Sequence, residues 1–164
     1  MGIEYYDFNT VLGKMIIFFS NRGLVYLNLL DGNEEDVVKF ANGKYGQTRK
    51  IDGLNYDYHK QIIEYLDGRL KEFFLPLDLR GTDFQKKVWF ELLKIPYGET
   101  RTYKEIAMNI GSPKAYRAVG GALNKNPILI VVPCHRVIGS NGHLVGFGGG
   151  LDLKERLLAL ERDN

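Results

Sequence analysis

The sequence of 164 residues contains one cysteine, three histidines and no long apolar run. One cysteine excludes an intramolecular disulfide, and a four-ligand zinc site would need that cysteine and all three histidines to converge. The longest apolar runs, residues 15–19 and 128–132, are far too short to span a membrane. The N-terminus has neither the basic segment nor the apolar core of a secretory signal. We therefore expect a protein of a reducing compartment (cytoplasmic, or nuclear in a eukaryote) with no membrane partner.

The net charge of +2 conceals an asymmetry along the chain. Residues 1–80 carry 10 Lys and Arg against 12 Asp and Glu, whereas residues 81–164 carry 12 against 8. Within residues 86–136 the count is 9 against 3, a net charge of +6. Such an excess of positive charge indicates either a face in contact with solvent or a surface that binds nucleic-acid phosphates. Each Lys or Arg that approaches a phosphate releases counterions condensed on the nucleic acid.

The first half of the chain has the pattern of a small α+β unit. Aromatic and β-branched runs bounded by turn residues predict strands, and amphipathic spacing predicts helices. The predicted strands are residues 4–8, 14–20, 24–30 and 73–79, and the predicted helices are residues 33–40 and 55–66. Asn33 is the expected N-cap of the first helix. We interpret His59, in the second helix, as a surface residue and not a ligand.

The second half is predicted to be mostly helical, after a boundary in residues 77–81. Thr82 with Gln85, and Thr102 with Glu105, have the spacing of capping boxes that open two helices. The first helix has an apolar stripe, on which Trp89 is interpreted as a core residue, and it ends at residues 96–98. The second is expected to bury Tyr103, Ile106, Ala107 and Ile110 and to end at Gly111.

A third helix follows almost at once, with Ser112 as its expected N-cap and Pro113 at its first position. The short turn between the second and third helices is typical of a helix-turn-helix. Residues 114–123 are rich in small side chains, and each glycine inside a helix costs about 1 kcal/mol relative to Ala. Such a helix either packs tightly against another helix or lies against a nucleic-acid backbone, with Arg117 as its long cationic side chain.

The cysteine follows an apolar run that predicts a buried strand or extended segment, residues 128–132. This segment leads into Pro133-Cys134-His135-Arg136-Val137. Neighbouring cationic or proton-accepting groups favour the nucleophilic thiolate. Because adjacent side chains of an extended chain point in opposite directions, a water molecule would relay the proton between Cys134 and His135.

A histidine that activates a nucleophile usually needs an orienting carboxylate. The last predicted helix starts near Asp152 and Glu155, with an apolar stripe at Leu153, Leu157 and Leu158. Glu161 falls on that same stripe. Either it is buried and paired with His135, or fraying at the C-terminus leaves it in water.

Residues 133–137 (PCHRV) and 117–122 (RAVGGA), with Asn126-Pro127, resemble the O6-alkylguanine-DNA alkyltransferase family. Residues 96–100, 149–151 and 154–155 match as well, so the resemblance covers residues 82–162. It implies an α+β fold, with a small RNase H-like N-terminal α/β domain (residues 1–80) and a mostly helical C-terminal domain (residues 81–164) containing the helix-turn-helix. The implied activity is that of a methylated-DNA–protein-cysteine methyltransferase. Such a protein repairs O6-alkylguanine, and to a lesser extent O4-alkylthymine, by a single irreversible transfer to its own cysteine.

The resemblance also implies a role for each matching residue of the reaction centre. Cys134 would accept the alkyl group, His135 would activate it through water, and Glu161 would orient His135. Asn126 would hold the turn between the helix-turn-helix and the cysteine, and Tyr103 would protonate the base.

Further residues are assigned by the resemblance to the substrate and to DNA. The carbonyls of Cys134 and Val137 would accept from the exocyclic amine, and Leu123 would line the alkyl pocket. The loop residues Phe147, Gly148 and Gly149 complete the substrate site, although many members have Ser where Gly148 stands. Arg117 would intercalate where the damaged nucleotide is flipped out. The other expected DNA contacts are Lys114, Ala115, Gly120, Gly121, Ala122, Lys125 and Arg136.

The expected partner is the minor groove of double-stranded DNA, contacted by a monomer independently of sequence, with no cofactor and no metal. Some members bind zinc through N-terminal Cys and His, but here that half has no Cys and only His59. Two alternatives remain open. A DNA-binding relative would recognise the lesion without reacting, although relatives of that kind lack the cysteine. A cysteine hydrolase would turn over, and it needs a base in direct contact and an oxyanion hole.

Overall fold

The structure is a computed structural model that describes residues 2–142 and 150–164. The chain divides into two compact units, Met1–Leu79 and Arg80–Asn164. Among the described residues, no helix combines the length and the apolar composition that crossing a membrane requires.

The first unit is a mixed four-stranded sheet with helices. Its strands are β1 (Ile3–Thr10), β2 (Gly13–Ser20), β3 (Gly23–Leu29) and β4 (Thr48–Lys50). They lie in the order β3-β2-β1-β4, with β4 parallel to β1 and the other pairs antiparallel. The helical elements are α1 (Glu34–Tyr45), a 3₁₀ turn (Gly53–Asn55) and α2 (Tyr58–Leu66). Helix α1 contributes Ala41 and Tyr45 to a core shared with Ile16 and Phe18 of strand β2.

Three of the four predicted strands of this unit, and both helices, are confirmed. Asn33 caps α1 by accepting a hydrogen bond from the Glu35 N–H at 2.8 Å. The prediction of a strand over residues 73–79 is wrong, because this segment pairs with the sheet only through an isolated bridge between Leu77 and Leu24. Pro76 has no N–H to donate. The true fourth strand, β4, escaped prediction because its Thr-Arg-Lys sequence has no apolar alternation.

His59 is more closely packed than a surface residue. Its Nδ1 atom lies 3.0 Å from the Tyr6 hydroxyl, and its ring contacts the Tyr6 ring edge-on. Burial lowers the pKa of His59 and raises that of Tyr6 to about 12. It is therefore a neutral residue of an aromatic cluster.

The second unit is mostly helical, as predicted. Its helices are α3 (Asp83–Leu92), α4 (Tyr103–Asn109), α5 (Tyr116–Asn124) and α6 (Leu151–Asp163). A short parallel pair, β5 (Arg101–Thr102) and β6 (Val137–Ile138), joins the segment before α4 to the segment after the cysteine. Both capping boxes are present, at Thr82 and at Thr102. Trp89 is fully buried on α3 and donates from Nε1 to the Ala122 carbonyl of α5 at 2.9 Å.

Three local predictions for this unit are wrong. Helix α5 begins at Tyr116, because residues 112–115 form a turn in which the Ala115 N–H donates to the Ser112 carbonyl. Residues 128–132 are buried but folded into turns, with Ile130 in the left-handed region at a φ of 74°. Helix α6 starts directly after Gly150 and has no side-chain cap, so Asp152 does not open it.

Candidate active site

Cys134 is buried at the start of a 3₁₀ turn, Cys134–Arg136, with only 4% of its surface exposed. Asn126 holds it there. The Asn126 Nδ2 atom donates to the Val132 carbonyl at 2.8 Å and contacts Cys134 Sγ at 3.1 Å, and its Oδ1 atom accepts from the Ile128 N–H. One side chain therefore closes the loop of residues 126–134 and also touches the sulfur.

The environment of the thiol has opposing effects on its acidity. Burial raises the pKa of Cys134, because a thiolate loses its hydration there. The amide of Asn126 and the ammonium of Lys154 lower it by favouring the charged form. The structure thus surrounds the sulfur with groups that stabilise negative charge.

His135 and Glu161 form a buried pair. His135 is fully buried, Glu161 is 4% exposed, and the His135 Nε2 atom lies 2.6 Å from Glu161 Oε2. This confirms the buried alternative for Glu161. An ionised carboxylate can only accept, so Nε2 carries the proton and Nδ1 keeps its lone pair. Burial lowers the pKa of His135, and the ring is therefore neutral and ready to accept a proton at Nδ1.

Glu161 is also the acceptor for Arg136 and for the turn before β5. Arg136 donates to both Glu161 oxygens, at 2.8 and 2.9 Å, and to the Ile95 carbonyl at 2.8 Å. The Gly98 N–H donates to Glu161 Oε1 at 3.0 Å, from a backbone with a φ of 79° that favours glycine. Arg136 was expected on the DNA surface, but it is buried and held by Glu161, so it positions the carboxylate instead.

Lys154 is a buried cation for which the sequence predicted no role. It is fully buried on α6 and donates from Nζ to the Val137 carbonyl, with Nζ 6.0 Å from the centre of the Tyr103 ring. Burial lowers its pKa, and the charge on Cys134 raises it. Its position in the sequence does indicate burial, because Lys154 lies on the same helical stripe as Leu157 and Glu161.

A pocket of about 340 Å³ opens beside this centre. Tyr103 lies in its wall, half-buried, and both burial and the charge of Cys134 raise the pKa of its hydroxyl. Arg117 and Gly120 of α5 line the same pocket. Among the described residues, the lining is Tyr103, Lys104, Tyr116, Arg117, Gly120, Asn124, Gly139 and Ser140. Tyr103 and Arg117, to which the resemblance assigns two different roles, therefore line the same pocket.

Helix α5 and the residues that flank it leave most of the expected DNA contacts accessible. Lys114, Arg117, Gly121 and Lys125 are exposed, and Ala115 and Gly120 are half-exposed. Ala122 is instead buried at 3%, with its carbonyl accepting from Trp89, and Leu123 is buried at 5%.

The glycines of α5 are not required for packing within the described part of the chain. There, a Cβ added at Gly121 would meet no atom within 4 Å. One added at Gly120 would make ordinary contact with the Tyr103 ring at 3.8 Å. Tight helix–helix packing therefore does not explain why this helix tolerates two glycines.

Phe147, Gly148 and Gly149 lie outside the described residues, as does His143. Within residues 2–142 and 150–164, no three His, Cys, Asp or Glu side chains are grouped so that they could hold a metal ion.

Comparison with known proteins matches both halves of the chain. Family models described as the 6-O-methylguanine DNA methyltransferase ribonuclease-like domain and DNA binding domain match residues 3–79 and 83–163. A methylated-DNA–protein-cysteine methyltransferase of Mycolicibacterium paratuberculosis is 62% identical over 160 residues, covering 98% of this chain and 93% of the relative. One of Methanosarcina barkeri is 46% identical over 164 residues, covering 98% of each chain.

A solved structure agrees with these relatives. The crystal structure of Mycobacterium tuberculosis OGT in complex with DNA superposes with a TM-score of 0.85 at 42% identity, covering 98% of this chain and 93% of that chain. The matched domains, the identity over nearly full length and the shared fold lead to one conclusion. The chain belongs to the 6-O-methylguanine-DNA methyltransferase family.

Proposed function

We propose that this chain repairs O6-alkylguanine in double-stranded DNA by transferring the alkyl group once, irreversibly, to Cys134. O4-alkylthymine is the lesser substrate. The observation that carries the proposal is the buried thiol held by Asn126 beside the His135–Glu161 pair. Displacement at a saturated carbon needs a soft nucleophile in line with the leaving oxygen, and a thiolate supplies it.

The proton of the thiol leaves through His135 in this mechanism. Glu161 accepts from Nε2 and so keeps the lone pair on Nδ1, which takes the thiol proton through a water molecule. The sulfur then attacks the alkyl carbon as the carbon–O6 bond breaks, and the electron pair of that bond goes to the guanine. Tyr103, in the wall of the pocket, donates a proton toward N3 of the base, and the proton taken up by His135 restores the Tyr103 hydroxyl by exchange through water. The products are a thioether on Cys134 and unmodified guanine.

The base is held by backbone groups next to the sulfur. The carbonyls of Cys134 and Val137 accept from its exocyclic amine. Lys154 already donates to the Val137 carbonyl, but a carbonyl oxygen has a second lone pair for the amine. Leu123 borders the alkyl group, and Phe147, Gly148 and Gly149 are the other residues assigned to the substrate. With Gly148 in place of Ser, only a backbone N–H is available to the guanine oxygen.

The DNA-binding face is the exposed side of α5. Its two glycines, unexplained by packing among the described residues, allow the helix to approach a phosphate backbone closely. Arg117 enters the base stack at the position from which the damaged nucleotide has been flipped out. Its contacts there offset the cost of unstacking and unpairing that nucleotide, which is a few kcal/mol. Lys114 and Lys125 contact phosphates. Binding in the minor groove, where base readout is degenerate, suits a cytoplasmic monomer that repairs lesions in any sequence.

A titration tests this proposal. Increasing amounts of the chain are mixed with a fixed amount of O6-methylguanine duplex, and the remaining lesion is counted after the reaction stops. The proposal predicts one lesion removed per chain, and none removed by Cys134→Ala. Removal of many lesions per chain would indicate a hydrolase, and tight binding without removal would indicate a non-reacting relative.

A further inference from the structure

Two residues that the transfer chemistry does not use form the outer wall of the 340 Å³ pocket. Tyr116 is the first residue of α5 and is 39% exposed. Lys104, an exposed residue of α4, holds its Nζ atom 5.8 Å from the centre of the Tyr116 ring. Both line the same pocket as Tyr103 and Arg117.

The two sides of the pocket differ in burial. Tyr103 is on the inner side, half-buried and within electrostatic reach of Cys134. Tyr116 and Lys104 are on the side that faces solvent. Consecutive residues of a helix point about 100° apart, so Tyr116 and Arg117 diverge from neighbouring positions of α5. Both nevertheless line the pocket, so two diverging side chains border it.

The chemistry of this outer pair fits a nucleotide's backbone. A tyrosine ring offers an apolar face to a sugar or base at low cost in conformational entropy, and such packing does not depend on sequence. The Lys104 ammonium forms no ion pair within the described residues, since its neighbour Glu105 caps Thr102. Its charge is available for a phosphate.

We propose that Tyr116 and Lys104 clamp the extruded nucleotide at the mouth of the pocket. The Tyr116 ring packs against the sugar, and Lys104 pairs with an adjoining phosphate. This inference rests on the proposed repair function and adds a recognition step outside the reaction centre. It assigns the pair to the nucleotide's backbone, which a free base lacks.

The test compares O6-methylguanine duplex with free O6-benzylguanine, which has neither sugar nor phosphate. Tyr116→Ala is expected to slow transfer from duplex about tenfold, the usual scale for a lost stacking contact, and to leave the free-base rate within about twofold. Tyr116→Phe keeps the ring and should react like the wild type. Lys104→Gln should weaken duplex binding and reduce the slope of log affinity against log salt by about one.

Phe90→Ala and Lys94→Gln, an exposed aromatic and an exposed lysine associated with α3, are the matched controls and should leave both rates unchanged. Equal losses on duplex and free base would overturn the clamp, because the pair would then only support the pocket wall. Unchanged duplex rates and an unchanged salt slope would overturn it as well. A wild-type chain that transfers from neither substrate would instead overturn the proposed function on which the clamp rests.

Discussion

Replacing Glu161 by Gln tests the buried network directly. The substitution preserves shape but converts one of the two carboxylate oxygens to an NH₂ group, which cannot accept. If the NH₂ group replaces Oε1, the Nε of Arg136 and the Gly98 N–H lose their acceptor. If it replaces Oε2, His135 and the other Arg136 nitrogen lose theirs. In either orientation two donors, at least one of them buried, are left facing a donor.

The expected cost follows from those two donors. Each buried donor without an acceptor costs about 1–3 kcal/mol, and breaking a buried ion pair costs about 3–5 kcal/mol. Because Arg136 also loses its countercharge, we expect Glu161→Gln to lower the free energy of unfolding by about 3–5 kcal/mol. That is a large fraction of the roughly 5–15 kcal/mol that stabilises a typical domain.

Urea denaturation at neutral pH measures this loss. Asp163→Asn is the matched control on the same helix, since the Asp163 side chain is 69% exposed and pairs loosely with Arg162 at 3.6 Å. It should change the stability by less than about 0.5 kcal/mol. Arg136→Met removes the buried cation. In the Glu161→Gln background it should therefore lower the free energy of unfolding far less than it does in the wild type. If Glu161→Gln lowers the free energy of unfolding by less than about 1 kcal/mol, or if the effects of the two substitutions are strictly additive, Glu161 and Arg136 do not form a stabilising network.

Three further outcomes are expected. Arg117→Ala should slow repair of duplex DNA more than reaction with free O6-benzylguanine, and equal losses would refute its intercalating role. Lys154→Met should raise the pKa of the Cys134 thiol, because the ammonium lowers it, and so shift the pH profile of the free-base reaction to higher pH; an unshifted profile would contradict this. The pKa of His135 is depressed below its ordinary 6.5 in the folded chain, so the unfolded chain binds more protons below that pH. The free energy of unfolding should therefore fall as the pH drops below about 6.5, and a flat dependence there would show that His135 is not held neutral.

Helical spacing was enough to place Glu161 on the apolar stripe of its helix, because that stripe is contained in one helix, but it left open whether the carboxylate is buried or in water. It could not identify Arg136 and Gly98 as the carboxylate's other donors. These lie 25 and 63 positions away in sequence, and only the tertiary fold brings them together. Arg136 was assigned to DNA by the resemblance, and nothing in its local sequence indicates that its guanidinium is buried, because arginines are mostly exposed.

The same limit applies to the backbone. Both capping boxes were predicted because their signals are local, two residues three positions apart. The folded course of residues 128–132 depends on the hydrogen bonds that the Asn126 side chain makes with the Val132 carbonyl and the Ile128 N–H, which an apolar composition does not reveal. Strand β4 was missed because its pairing with β1, and not its own composition, makes it a strand.

The central claim is that the alkyl group ends on the sulfur of Cys134 and stays there. After incubation with O6-methylguanine duplex, mass spectrometry of the intact chain and of its peptides locates any added group. We expect a gain of one methylene mass per chain, on the peptide that contains Cys134, and no gain in Cys134→Ala. An unchanged mass despite binding to the damaged duplex, or a gain on another residue, would contradict it.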